Sequence, residues 1–466
     1  MRQKQTRHAQ GKGASLASGQ RGPLLYRLED TPAIGKRLLY SLQFVVIFMG
    51  SVVLVPMLVA EPLGWSQEQV AFLLQCAIFT GGIATFVQAK GIGPVGARLP
   101  ILLGTTFVTI TPLVAITTEY GYDAFLGGVI AGGIVYVLVA CFGTRFLRRF
   151  FSSTVSGTLV VAIALTLAPS CADMAAGGSA PVGGGYSTWQ NWLLAILTMA
   201  ICLIAHLFGK GFWRTIGLFM GLAAGYVLAL LLGDVAFGGV MEAAWFSVPR
   251  PFVYGVSFHL EPVLIMVVIY LVTAMEFVGD TTATAMVCAD RLSTHRELRG
   301  GLLCDALSSV LSGVFNFAPN ISYSDGVGII GSTRVASRAV MVTSGLLIAA
   351  AGLVPKFAAL LSTVPAPVLG GACLFLTGFM LMAGVEVILT QPLTLRNSVI
   401  VGTSLAVGIG LGFSGVLEQA PMAVRTLFSG IPGTAITGAF LHGILSKDLN
   451  SALRTGSFPR VIHTTR

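Results

Sequence analysis

Charged side chains are scarce in this chain of 466 residues: Asp, Glu, Lys and Arg together make up 10% of it. Soluble domains carry about 25% charged residues, so the composition excludes an ordinary soluble domain. The hydrophobic share is 55%, and long apolar runs recur, namely Leu39–Ala60, Ala124–Cys141, Trp192–Phe208 and Val340–Val354. Because about 20 apolar residues span the hydrocarbon core of a bilayer, the sequence predicts an all-α polytopic membrane protein.

The motifs of thiol and metal chemistry are also missing. The seven cysteines stand singly with no CxxC, which indicates neither a disulfide framework nor a zinc site. The six histidines are scattered and the chain contains no HExxH. An intramembrane enzyme would need a nucleophile with a base, or clustered metal ligands. We therefore predict a protein that is not an enzyme and holds no metal or cofactor.

Basic residues lie almost entirely in alternate gaps between the apolar spans. Of the 28 Lys and Arg residues, 25 fall in one set of gaps and tails, and the other set holds only Arg250, Lys356 and Arg425. The side rich in positive charge is cytoplasmic in most membrane proteins. The pattern predicts fourteen crossings with both termini in the cytoplasm, in the plasma membrane or the inner membrane of a bacterium. This topology explains the net charge of +9, so no nucleic-acid partner is predicted.

Fourteen crossings divide into two sets of seven with opposite orientation, a 7+7 inverted repeat. Ala97–Pro112 is the third span of the first half, and Ala318–Arg334 takes the same place in the second. Both segments are short, rich in Ser or Thr and interrupted by Gly or Pro, as at the binding site of inverted-repeat transporters. We predict short strands in both segments, with Ile321–Tyr323 in the second, each followed by a half-helix whose N-terminus faces a cavity.

Four acidic residues fall inside predicted spans: Glu276, Asp280, Asp305 and Asp325. Glu276 and Asp280 are four residues apart, so they share one helix face and repel each other when both are charged. Ionisable groups within a membrane are costly and usually functional. We therefore expect at least one of this pair to exchange a proton, which suits coupling to a proton gradient. The alternative is that these acids only satisfy neighbouring polar groups.

At these residues the chain resembles the nucleobase–ascorbate transporters, or xanthine/uracil permeases, over about Leu39 to Gly443. "MEFVGDTTATAMV" is similar to the signature of the family's eighth helix, and "DGVGIIGSTR" is similar to the motif of its tenth segment. "GTTFVTITP", "VPAPVLGGACL" and "LQFVVIFMGSVVLVP" resemble other family stretches in the same order. The resemblance implies import of a nucleobase by proton symport with alternating access, and a sodium ion is the open alternative for coupling.

The resemblance also implies roles for single residues. Glu276 would accept hydrogen bonds from ring N–H groups, and Asp325 would be the second side-chain contact. Asp280 and Asp305 would tune Glu276 or relay the proton. The other assignments are Phe107 to line the base, Tyr323 and Ser324 to offer backbone groups, Gly326 and Gly328 as motif positions, and Gln43, Thr333 and Arg334 to support the motif.

Two positions depart from the family's tenth-segment motif. The usual Asn is Gly326 here, and the usual Gln or Glu is Asp325, whose arm is one methylene shorter. An ionised Asp accepts hydrogen bonds but cannot donate to a ring carbonyl. Together with Asp280 and "TTATAMV", these differences favour xanthine, urate or a related purine over uracil.

Phe107 could equally serve in packing, and Arg334 could equally anchor the chain at the cytoplasmic surface.

The resemblance implies a core domain that moves against a gate domain, and a homodimer formed through the gate. We predict a disordered cytoplasmic tail at 1–37, the core domain at 38–150 and 256–356, the gate domain at 151–255 and 357–446, and a cytoplasmic tail at 447–466. One rival is an anion transporter of the same 7+7 architecture, but carboxylates at Glu276 and Asp280 would repel its ligand. A channel is less suitable, because paired broken helices with buried acids fit alternating access better.

Overall fold

The computed structural model of the protein describes residues 24–142, 153–178, 185–209, 212–233, 235 and 237–455. Two short strands are found there among the helices, β1 (Leu103–Thr105) and β2 (Asn320–Ser322). In chain order, the helices are α1 (Ile34–Val52), α2 (Leu54–Leu63), α3 (Gln67–Lys90), α4 (Ile110–Tyr120), α5 (Tyr122–Phe142), α6 (Ser153–Ala175), α7 (Trp189–Phe208), α8 (Phe212–Thr215), α9 (Gly217–Leu232), α10 (Gly238–Glu242), α11 (Leu260–Ala289), α12 (His295–Val314), α13 (Asp325–Thr333), α14 (Arg338–Ala351), α15 (Pro355–Leu361), α16 (Ala366–Leu389), α17 (Leu395–Phe413), α18 (Met422–Phe428) and α19 (Gly430–Thr455).

The helical class predicted from composition is confirmed. In the described residues, eight helical stretches are long and apolar enough to cross a membrane, and two bent helix pairs raise that number to ten. The bent pairs are α14 with α15, at 89°, and α18 with the following helix, at 69°. The other four predicted crossings correspond to α9, α12 and the two segments that contain strands. The total of fourteen crossings stays a prediction.

The two strands form one antiparallel pair, in which Leu103, Gly104 and Thr105 face Ser322, Ile321 and Asn320. Strand residues are buried on both sides, so every backbone group needs a partner inside the protein. Helix hydroxyls supply several of these partners. Thr85 Oγ1 accepts from the N–H of Leu103 at 3.0 Å and donates to its carbonyl at 3.2 Å. Ser309 Oγ donates to the carbonyl of Asn320 at 3.0 Å.

Small residues let helices from the two halves of the chain approach closely. A Cβ on Gly82 of α3 would lie 2.2 Å from the backbone nitrogen of Ala349 in α14. A Cβ on Gly370 of α16 would lie equally close, 2.2 Å, to the backbone nitrogen of Ala175 in α6. Helices in lipid associate through close packing at small residues, so these two crossings hold the halves of the chain together.

The structure differs from the sequence-based predictions about disulfides and about the N-terminal tail. Cys171 of α6 and Cys373 of α16 form a disulfide, with Cα atoms 5.5 Å apart, although the sequence indicated no disulfide framework. The predicted tail 1–37 lies partly outside the described residues. From Leu24 onward it packs against the chain after α13: Tyr26 bridges Val335 in parallel, and the Arg338 N–H donates to the Leu28 carbonyl at 3.0 Å.

Candidate functional site

The strand pair places two helix N-termini on either side of one buried region. β1 leads through a 3₁₀ turn (Phe107–Thr109) into α4, and β2 leads into α13. Because the strands are antiparallel, these helices begin at opposite ends of the pair, on the order of 10 Å apart. Helix N-termini carry partial positive charge and N–H groups without intrahelical partners. The region between them can therefore bind polar groups of a ligand.

Helix α11 lies against β2, the 3₁₀ turn and α13, and brings two of the predicted acids to this region. Asp280 accepts hydrogen bonds from Ser322 Oγ at 2.6 Å and Ser324 Oγ at 2.7 Å. These bonds hold the residues before and after Tyr323 against α11, where β2 continues into α13. The Ser324 side chain therefore bonds to α11 and makes no capping bond to α13.

Glu276 lies one helical turn before Asp280 on the same face of α11. It is half-buried, and it makes no hydrogen bond or ion pair to any side chain that the structure describes. A partly buried carboxylate loses hydration and must recover hydrogen bonds from another source. Of the two acids on this face, Asp280 accepts from protein hydroxyls, whereas Glu276 bonds to no side chain in the described part of the chain.

Asp305 lies behind this region, on α12, and is fully buried. Its Oδ2 accepts from Tyr136 Oη at 3.0 Å, and its Oδ1 has no partner among the described residues. The Tyr136 ring stacks on that of Tyr270, with centroids 5.2 Å apart, and Tyr270 Oη donates to the Val129 carbonyl at 2.9 Å. Sequence reasoning missed both tyrosines, although a hydroxyl in an otherwise apolar helix was the available signal.

Tyr323, one of the two aromatic residues of the predicted site, packs against both strands. Tyr323 is buried, with its ring centroid 5.9 Å from that of Phe48, and its hydroxyl lies 3.4 Å from that of Thr105. Its N–H already donates to the Leu102 carbonyl at 2.8 Å. Gly104 leaves room for this ring, because a Cβ there would lie 2.5 Å from Tyr323 Oη. Phe107 is half-buried and is the first residue of the 3₁₀ turn, which lies against α11.

The motif glycines sit where a side chain would fit. A Cβ on Gly326 would meet nothing closer than Leu102 Cβ at 3.7 Å, and a Cβ on Gly328 would meet nothing within 4 Å. Packing therefore does not require glycine at either position. The side chain of Asp325 lies outside the described side chains, so its predicted contact stays a prediction.

The three residues predicted to support the motif lie in three different parts of the fold. Gln43 is buried in α1. Thr333 Oγ1 donates to the Ile329 carbonyl at 2.8 Å, at the end of α13, about 12 Å along that helix from its start. Arg334 is exposed, and its carbonyl accepts from the N–H groups of Leu25 and Tyr26 at 2.8 and 3.3 Å.

Comparison with known proteins identifies the family. Residues 35–416, most of the chain, match the permease family Xan_ur_permease. The chain belongs to the nucleobase–ascorbate transporter family. This confirms the resemblance found in the sequence motifs.

Curated relatives of this permease are similar over nearly their full length. Uric acid permease PucJ of Bacillus subtilis is 34% identical over 409 residues, which cover 86% of this chain and 91% of PucJ. Xanthine permease XanP of Escherichia coli is 30% identical over 456 residues, which cover 92% of this chain and 96% of XanP. Both relatives are named for purines, as expected for the purine branch of the family.

Among solved structures, this permease shares its fold with anion transporters. Murine Slc26a9 superposes with a TM-score of 0.65 at 10% identity, over 91% of this chain and 70% of that one. The transmembrane domain of the cyanobacterial bicarbonate transporter BicA superposes with a TM-score of 0.54 at 14% identity, over 88% of this chain and 98% of that one. Identities this low show a common fold alone.

Proposed function

We propose that the protein is a secondary active transporter that imports a purine nucleobase, xanthine or uric acid in preference to uracil, by proton symport with alternating access. The observation that carries this proposal is Glu276, a half-buried carboxylate that bonds to no described side chain and lies beside two half-helix N-termini. A planar base presents N–H groups that need such an acceptor and carbonyls that need N–H donors. The relatives named for uric acid and xanthine support a purine as the base.

Buried carboxyl groups provide the chemistry for proton coupling. Acids within membrane spans recur in proton pathways of pumps and transporters. Asp305 has one carboxyl oxygen without a partner in the described part of the chain. Among the described side chains, Glu276 has no hydrogen-bond or ion-pair partner. We propose that these two groups exchange the co-transported proton. Asp280 instead holds the connection between β2 and α13 in place through its bonds to Ser322 and Ser324. Carboxylates at this place also argue against a small inorganic anion as the substrate, although the fold is shared with anion transporters.

The proposed arrangement in the membrane follows from the charge pattern and the family. Both termini face the cytoplasm, in the plasma membrane or the inner membrane of a bacterium. Segments 38–150 and 256–356 form the core domain that carries the site, and 151–255 and 357–446 form the gate domain. Two copies associate through their gate domains.

Uptake of radiolabelled uric acid, xanthine and uracil by cells that lack their own permeases tests the proposed function. We expect the purines to accumulate, and an uncoupler that abolishes the proton gradient should remove most of the accumulation. Replacing sodium in the medium should leave it unchanged. Accumulation of uracil alone would assign the chain to the pyrimidine branch, and no accumulation of any base by protein present in the membrane would contradict the proposal.

Alternating access is supported by contacts that join the proposed core and gate domains at one face. Glu261, at the start of α11, accepts from Tyr120 Oη at 2.7 Å and from the backbone N–H of Ala423, in the first turn of α18, at 2.5 Å. Glu119 and Arg425 form a second contact between the domains, a 3.5 Å ion pair whose side chains are 47% and 40% exposed. These contacts lie at the face opposite the basic one, so they close the outer face of the protein.

Replacing Glu261 by Ala is expected to loosen α18 from α11. Hydrogen bonds to a charged group contribute about 1.5–3 kcal/mol, so amides of α18 should exchange with solvent on the order of tenfold faster. Hydrogen exchange measured by mass spectrometry checks this. The control is Glu119→Gln, because an exposed ion pair contributes only about 0–1 kcal/mol. Equal exchange in wild type and Glu261→Ala would show that this contact does not hold the domains together.

A further inference from the structure

A cavity of about 770 Å³ opens on the basic face of the protein, away from the strand pair. Five arginines line it: Arg98, Arg291, Arg296, Arg299 and Arg338. They come from four separate places, namely the segment after α3, the turn between α11 and α12, the first turns of α12 and the start of α14. The positive-inside rule explains basic residues on this face, but it does not require them to meet in one concavity.

Two carboxylates offset only part of this charge. Glu297 accepts from Arg291 through two bonds of 2.6 and 2.8 Å. Glu29, from the segment before α1, accepts from Arg338 at 2.5 Å, and its side chain is 75% exposed. In the described part of the chain, the remaining arginines, Arg98, Arg296 and Arg299, form no ion pair.

Backbone hydrogen bonds and close packing fix the chain around the cavity, so the backbone positions of the arginines cannot move apart. The N–H of Gly96 donates to the Gly300 carbonyl at 2.7 Å, and a Cβ on Gly300 would lie 2.6 Å from the Gly96 carbonyl oxygen. Arg98 itself has a left-handed backbone, with φ of 59°, and its carbonyl accepts from Arg338 Nε at 3.0 Å. The side chains of like charge are therefore anchored around one space.

We propose that this cavity binds a phosphate group. The guanidinium fork matches phosphate oxygens in charge and geometry, and basic pockets at the cytoplasmic side of membrane proteins receive anionic headgroups. The phosphate can belong to an anionic lipid or to a soluble phosphate compound. It would bond to the unpaired arginines and compete with Glu29 for Arg338. This site is separate from the proposed purine site and does not depend on which base is carried.

Binding to the full-length protein tests the proposal with two kinds of probe. In the lipid arm, phosphatidylglycerol is titrated against a phosphatidylcholine background in nanodiscs and bound lipid is counted by native mass spectrometry. In the soluble arm, inorganic phosphate and pyrophosphate are added in detergent and binding is followed by thermal shift. Saturable binding in either arm supports a phosphate site and identifies its source. The absence of saturable binding in both arms overturns the proposal.

Three variants connect binding to the cavity. Each arginine near an anionic surface contributes about fivefold in affinity, so Arg296→Gln with Arg299→Gln should weaken binding about 25-fold. Glu29→Gln frees Arg338 and should strengthen binding about fivefold, which a variant that merely damages the fold would not do. The control is Arg214→Gln, an exposed arginine outside the cavity. Weakening by the control as large as that by the double variant, or no gain with Glu29→Gln, contradicts the assignment.

Discussion

Replacing Glu276 by Gln is expected to reduce purine uptake by at least about a hundredfold. The amide keeps the size of the side chain but removes its charge and replaces one acceptor oxygen by a donor. Hydrogen bonds to a charged group contribute about 1.5–3 kcal/mol, and the loss of one or two accounts for a factor of this size. The variant also loses the group that we propose exchanges the proton. Initial uptake rates, normalised to the amount of protein in the membrane, measure the effect.

The matched control for this experiment is Glu386→Gln. Glu386 is exposed on α16, away from the strand pair, so the same chemical change there should leave uptake within about twofold of wild type. Purine-induced thermal shift of the purified variants separates binding from transport. Loss of both uptake and thermal shift in Glu276→Gln places this carboxylate on the substrate. Normal uptake by Glu276→Gln would remove the basis of the proposed site.

The sequence predicts the parts of this site that depend on local spacing. The spacing of four positions from Glu276 to Asp280 puts both acids on one helix face, because an α-helix repeats every 3.6 residues. Pro and Gly in the tenth segment predict the break in the helix, and the strand forms at Asn320–Ser322, one residue earlier than Ile321–Tyr323. The shift brings Asn320 into register with Thr105 and leaves Tyr323 as the connection to α13.

Contacts between distant residues could not be predicted in this way. Tyr136 and Asp305 are 169 positions apart, and Cys171 and Cys373 are 202 apart. No periodicity connects such positions, since their meeting depends on how whole helices pack. The hydrogen-bond partners of Asp280 could not be predicted for the same reason. Its spacing predicted only that it shares a helix face with Glu276, and its oxygens accept from hydroxyls that lie 42 and 44 residues further along the chain.

Replacing Asp280 by Ala is expected to lower purine uptake on the order of a hundredfold, by releasing the connection between β2 and α13. Ser322 Oγ is buried and would lose its acceptor, which costs about 1–3 kcal/mol, and Ser324 would lose its bond to α11. The strand connection would then move relative to Glu276, and both purine binding and transport should fail. Uptake and purine-induced thermal shift are measured together.

Asp280→Asn distinguishes positioning from proton transfer. The amide oxygen still accepts from one serine, and the amide N–H can donate to the hydroxyl of the other, so the connection should remain in place. We expect this variant to retain the purine-induced thermal shift that Asp280→Ala loses, and to keep at least about a tenth of the wild-type uptake. Ser322→Ala should fall between the two aspartate variants, because it removes one of the two bonds. Asn and Ala at this position could instead abolish uptake equally while purine binding persists in both variants. That result would show that the charge of Asp280 is needed for coupling, and the proton pathway would then include Glu276, Asp280 and Asp305.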